Sequence, residues 1–156
     1  MRPDQASQGS HCFDFEHDFV GNWRCIPLCV RRKLDLAGIK LRLSHWLAMP
    51  EAARQELVLW GDDAEALRAL ATHLKQCTRE MPDGEATDLP VASQEPWQQG
   101  GEPPMAATTA AAELGYSLTP EGWLALSELE RFALCKLARP GHDHHNLAAA
   151  LAEIFP

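Results

Sequence analysis

The sequence has no long hydrophobic run, so no part of it reads as a segment that crosses a bilayer. Its opening, MRPDQASQGSH, lacks the apolar stretch of a secretory signal, and the expected location is the cytoplasm. Five cysteines (Cys12, Cys25, Cys29, Cys77, Cys135) are an odd number at irregular spacing. That argues against a disulfide framework and for reduced thiols. Gly-rich phosphate loops are missing, and Gly100-Gly101 lies in a stretch crowded with Pro, Gly and Gln. No Ser, His and Asp arrangement or paired-carboxylate pattern stands out either. These absences predict a protein that binds a partner, with no enzymatic activity and no cofactor of its own.

Charge is scarce in one sign everywhere but in one place. The net charge is −8, yet between Arg24 and Arg42 six bases (Arg24, Arg31, Arg32, Lys33, Lys40, Arg42) face the single acid Asp35. This stretch carries +5, which leaves −13 for the remainder. An acidic chain repels nucleic acid, so no nucleic-acid partner is expected. The six bases are the candidate partner- or anion-binding residues; the plainer reading is a solvated helix face. A helix over 27–37 that buries Ile26, Val30 and Leu34 would leave Arg31, Arg32 and Lys33 facing outward.

Helical signals dominate the order of the chain, and the fold class they predict is all-α. Residues 1–12 read as a disordered tail, and 13–156 as one domain with half-units at about 13–80 and 107–156. Between them, 81–106 reads as a long exposed Pro/Gly-rich linker in which Trp97 stands out. Alternate Phe13, Phe15, His17 and Phe19 suggest a short extended piece. Pro27 suits the first turn of a helix that Gly38 stops, and Ile39, Leu41 and Leu43 alternate with Lys40 and Arg42 in an extended connector. Ser44 is the expected cap of a short helix with Trp46, and Pro50 restarts it through Trp60. Asp62 and Glu65 have capping-box spacing, followed by a stripe of Leu67, Leu70, Leu74, Cys77 and Met81 that makes Cys77 a core residue. Thr119 with Pro120, and Ser127 with Glu130, mark two further starts. The last helix is expected from about Asp143, with Leu147, Ala150, Leu151 and Ile154 on one face.

An internal repeat organises these elements. Aligned without gaps at an offset of 77, residues 38–57 and 115–134 share Gly38/Gly115, Leu41/Leu118, Trp46/Trp123, Leu47/Leu124, Ala48/Ala125, Glu51/Glu128, Arg54/Arg131 and Leu57/Leu134. The expectation is about six main helices in two similar three-helix units.

A metal site is the alternative chemistry. His142, His144 and His145 around Asp143 have ligand character, and His11, Cys12, His17, Cys25 or Cys29 would have to complete the set. Adjacent residues at a helix start point in different directions, so the preferred reading gives Asp143 a capping role and no metal. Cys25 and Cys29 lie one helical turn apart without a second pair, a weak signal for either metal or redox chemistry.

The run FDFEHDFVGNWRCIPLCVRRKLDLAGIKLRLSHW, with ERFALCKLARPGH later, resembles the nitrate reductase-associated protein family. The resemblance spans about 13–80 and 114–155 and rests on RCIP, KLD, GIKL and ERFAL in that order. Members are encoded near assimilatory nitrate reductase and molybdopterin-cofactor genes. The resemblance implies an accessory factor in nitrate assimilation, with nitrate reductase as partner and the molybdopterin cofactor as a further ligand. It supplies no catalytic residue. A metal- or redox-responsive protein using the Cys and His clusters is the alternative.

Overall fold

The computed structural model describes residues 9–16, 23–139 and 145–156. Among them eight α-helices carry the architecture, with one two-stranded antiparallel ribbon. The count is eight where about six main helices are expected, since the two short helices that end at Met49-Pro50 and Leu126-Ser127 are separate elements, broken where Pro50 and Ser127 mark restarts. The chain divides into two units: 1–12 with 16–93, and 13–15 with 94–156. No described helix is long and apolar enough to cross a membrane.

The first unit holds α1 (Leu28–Ala37), β1 (Ile39–Lys40), α2 (Leu43–Ala48), α3 (Glu51–Leu59), α4 (Ala64–Thr78) and β2 (Thr87–Asp88). Pro27 is the N-cap of α1, and Gly38 ends that helix in the left-handed region at φ 70°. A side chain at Gly38 would also collide with the Leu89 carbonyl. That close approach is the ribbon: Ile39 pairs with Asp88 and Lys40 with Thr87, and the Leu89 N–H donates to the Gly38 carbonyl. Segment 81–106 thus contributes a strand to this unit.

Three local readings are corrected. Ser44 sits inside α2, whose N-cap is Arg42, and its hydroxyl bonds Asp83. The cap of α4 is Asp63, which accepts from the Ala66 N–H at 2.9 Å, so Asp62 is free for another role. Cys77 is exposed, and Thr78 is buried in its place. From Leu70 and Leu74 the buried face advances by four to Thr78, which returns its hydroxyl to the Leu74 carbonyl and accepts the Ala86 N–H.

The second unit holds α5 (Met105–Glu113), α6 (Pro120–Ala125), α7 (Glu128–Leu137) and α8 (His145–Ile154). Here the expected caps are present: Thr119 accepts from the Gly122 N–H, and Ser127 and Glu130 form a reciprocal capping box. Trp123, Leu134, Leu147 and Leu151 meet Ala107, Ala110 and Ala111 in the core. Trp97 is buried too, edge-on to Phe132 at 5.0 Å. Residues 13–15 complete the unit. They adopt a 3-10 turn (Asp14–Glu16) in place of the expected extended piece, because the Glu153 carboxylate gathers the adjacent N–H groups of Asp14 and Phe15. His17 and Phe19 lie outside the described residues.

Candidate functional site

Helix α1 positions the basic segment, and its buried arc is wider than its apolar stripe. Leu28, Cys29, Val30, Arg32, Lys33 and Leu34 are all buried as it packs against α3 and α4. The expectation that Arg32 and Lys33 face outward is therefore corrected. Lys33 follows Cys29 by one turn, so both lie on the face turned to α3. The last carbonyls of α3, of which Leu57 O also takes the Trp60 N–H, carry the negative end of the helix dipole. The Lys33 Nζ meets them, donating to Val58 O at 2.5 Å and Leu57 O at 3.4 Å, with Ser10 Oγ at 3.2 Å. Burial holds the pKa of this ammonium below its ordinary 10.5.

Arg32 turns the other way and pairs with Asp62 at 3.0 Å, ahead of α4. At the opposite end of α1, Pro27 has no side-chain oxygen to cap the helix. Glu16, wholly buried, supplies one from twelve residues earlier, and its Oε2 accepts the Leu28 N–H at 2.9 Å. The N-terminal segment closes over this polar cluster. A Cβ on Gly9 would stand 2.7 Å from Asp62 Oδ2, so the backbone approaches the ion pair as closely as glycine allows.

Two thiols belong to the same cluster. Cys12 and Cys29 are hydrogen-bonded to each other. The hydrogen bond from Cys29 draws the Cys12 pKa below its ordinary value, and Lys33 assists. The same bond and full burial push Cys29 far upward. Neither Cys12, Glu16 nor Asp62 was legible as a partner of α1; the four-residue spacing of Cys29 and Lys33 was the sole local signal.

Of the six candidate bases, Arg24, Arg31, Lys40 and Arg42 are exposed. The Arg31 Nε donates to the Ile26 carbonyl at 3.1 Å, which holds the side chain along the first turn of α1. Lys40 lies on the ribbon opposite Thr87. Arg42 caps α2, and its N–H donates to His45 Nδ1 at 3.1 Å. That bond leaves His45 Nε2 to carry the proton, which it directs at the Gly84 carbonyl 2.8 Å away. The arrangement can offer charge-assisted hydrogen bonds from the four exposed bases and holds the other two as internal ties.

In the second unit a cleft of about 200 Å³ is lined by Trp97, Pro104, Cys135, Lys136 and Arg139 among others. Burial pushes the Cys135 thiol up to about 11, so it is protonated and weakly nucleophilic near neutrality. Among the described residues, no group of three or more His, Cys, Asp and Glu could hold a metal ion. His142 and His144 lie outside those residues, and so does the side chain of His145.

Comparison with curated proteins and with solved structures finds no match to this chain. A family model does match, over residues 12–154, and takes in α1, its Cys12–Cys29 contact and every helix of both units. The chain belongs to the family described as conserved nitrate reductase-associated protein.

Proposed function

We propose that the protein is a non-catalytic accessory factor of cytoplasmic assimilatory nitrate reductase, which it binds to assist maturation, assembly or activity. Family membership supports the association, and the exposed bases of the first unit support the mode of contact. Arg24, Arg31, Lys40 and Arg42 project from a chain of net charge −8, where they would meet an acidic face of the enzyme. The phosphate of a molybdopterin cofactor is the second anion that such guanidinium and ammonium groups would take.

The finer organisation belongs to the same reading. The two units derive from one duplicated segment, and 81–106 joins them within a single domain. Helix starts at 28, 43 and 51 recur at 105, 120 and 128, each 77 residues later, and this supports the duplication.

The carrying observation is the exposure of four bases on an acidic chain. Reversing Arg31 and Lys40 to Glu together should weaken binding to purified reductase at least tenfold and flatten its dependence on salt. Both side chains are exposed, so the fold should survive with a stability change of about 0.5 kcal/mol or less per site. A folded double variant that binds like wild type and supports growth on nitrate would sink the proposed contact.

A further inference from the structure

Two thiols meet in the first unit, and what they can do is independent of the reductase reading. Cys29 is wholly buried on α1, one turn before Lys33. Cys12 is half-buried at the end of the segment 9–12 and shares a hydrogen bond with Cys29. That segment rests on the cluster at two further points: Gly9 against Asp62, and Ser10 Oγ against Lys33 Nζ at 3.2 Å. Cys77 and Cys135 have different surroundings. Cys77 is exposed but its thiol is pushed up by desolvation, and Cys135 is held at about 11.

We propose that Cys12 and Cys29 form a reversible disulfide, a peroxide-responsive modification site that clamps the segment 9–12 onto α1. Cys12 is the attacking sulfur. It is open to a small oxidant, and the Cys29 hydrogen bond with the nearby Lys33 favours its thiolate. Cys29 is shielded from solvent and protonated, which suits it to the second step alone.

The steps balance with hydrogen peroxide as the oxidant. Cys12 thiolate attacks one peroxide oxygen, the O–O bond breaks, and hydroxide leaves to take up the proton that Cys12 lost. Cys12 is now a sulfenic acid, oxidised by two electrons, and the peroxide is reduced. The Cys29 sulfur then attacks the Cys12 sulfur. The S–S bond forms, and the hydroxyl departs as water with the Cys29 proton. Two thiols and one hydrogen peroxide thus become one disulfide and two waters. A dithiol reductant reverses the change by exchange, emerging as its own disulfide.

The test uses the reduced full-length protein, stoichiometric hydrogen peroxide, alkylation of the remaining thiols and peptide mapping. The expected product links Cys12 to Cys29, leaves three of the five cysteines alkylated, and returns to five with dithiothreitol. Cys29→Ser should stop at a sulfenic acid on Cys12 that dimedone traps. Cys12→Ser replaces a half-buried side chain and should leave Cys29 alkylatable after unfolding at the same peroxide dose. It reports on the pair even where Cys29→Ser fails to fold. Five alkylatable cysteines after oxidation, faster oxidation of Cys77 than of Cys12, or a disulfide between any other pair would each overturn the proposal.

Discussion

Helices α1 and α5 start 77 residues apart, each after a proline N-cap, yet they bury different chemistry. Val30, Lys33 and Leu34 on α1 are matched in register by Ala107, Ala110 and Ala111 on α5, and all six are buried. Around them the units agree closely. Trp46 and Trp123 are wholly buried, as are Leu70 with Leu147 and Leu74 with Leu151. Arg54 on α3 and Arg131 on α7 each gather backbone carbonyls: Met49, Trp23 and Leu47 in one case, Leu126, Trp97 and Trp123 in the other. Alanines let α5 close on α7 and α8 and bring no polar side chain of their own to that cluster. Lysine at the same register position needs acceptors, and the carboxyl end of α3 provides them. One scaffold therefore carries a mainly apolar interior in one unit and, around α1, a polar cluster with a buried lysine and thiol in the other.

Exchanging the two interiors tests this contrast most severely. Ala110→Lys puts an ammonium among Trp123, Leu134 and Leu147 with no acceptor in that cluster, and overpacks it as well. The expected loss is more than about 4 kcal/mol in urea unfolding, or failure of the second unit to fold. Lys33→Met should cost less, about 2–3 kcal/mol, since it leaves the Val58 carbonyl without its short contact but keeps most of the apolar stem. The pH dependence separates charge from packing. A lysine whose folded pKa lies below its unfolded value leaves the unfolded state binding more protons, so stability rises with pH towards 10.5. Lys33→Met should lose that alkaline rise relative to wild type. An unchanged slope would show that Lys33 is not the group responsible.

Local signals in the sequence reached the helix ends that are closed locally. Gly38, Thr119 and the Ser127–Glu130 box are punctuation within four residues of what they punctuate. What could not be read depends on segments far apart in the chain. Lys33 turns inward because α3 ends beside it, and Glu16 caps α1 from twelve residues earlier in the chain. Asp62 looked like a cap by spacing, but Arg32 claims it and Asp63 takes the capping role. Trp97 was conspicuous by its surroundings, yet only the fold discloses Phe132 under its ring and Arg131 on its carbonyl. Four of the six bases marked by charge alone are exposed, because composition does not report which way a side chain points. The Cys12–Cys29 contact left no local trace.

The buried tryptophans sharpen the comparison at smaller cost. Trp46 Nε1 donates to the Trp23 carbonyl at 2.8 Å, and the Arg54 guanidinium donates to the same oxygen. Trp23 holds that carbonyl in place from the left-handed region at φ 60°, a strain of about 1–2 kcal/mol for a residue with a Cβ. Trp123 Nε1 has no hydrogen-bond partner among the described residues. Both Trp→Phe changes remove similar volume, but only Trp46→Phe removes a made hydrogen bond, whereas Trp123→Phe relieves an unmade one. Trp46→Phe should therefore be the more destabilising by about 1–2 kcal/mol. Equal losses would mean that Trp123 Nε1 is satisfied in solution.

The smallest effects lie at the starts of α3 and α7, which begin 77 residues apart under different caps. Ser127 accepts the Glu130 N–H at 3.1 Å, and Glu130 returns to the Ser127 N–H at 2.8 Å. Ser127→Ala removes half of that exchange and should cost about 1 kcal/mol. At the matching positions of the first unit stand Pro50 and Ala53. Ala53→Glu would recreate the glutamate of the box, but Pro50 has neither an N–H for it to accept nor a hydroxyl to offer in return. The new carboxylate keeps only its interaction with the helix dipole, so stability should change by less than about 0.5 kcal/mol. A gain of about 1 kcal/mol or more in urea unfolding would mean that residue 53 finds a donor other than the cap. The two helix starts would then differ in more than the identity of their first residue.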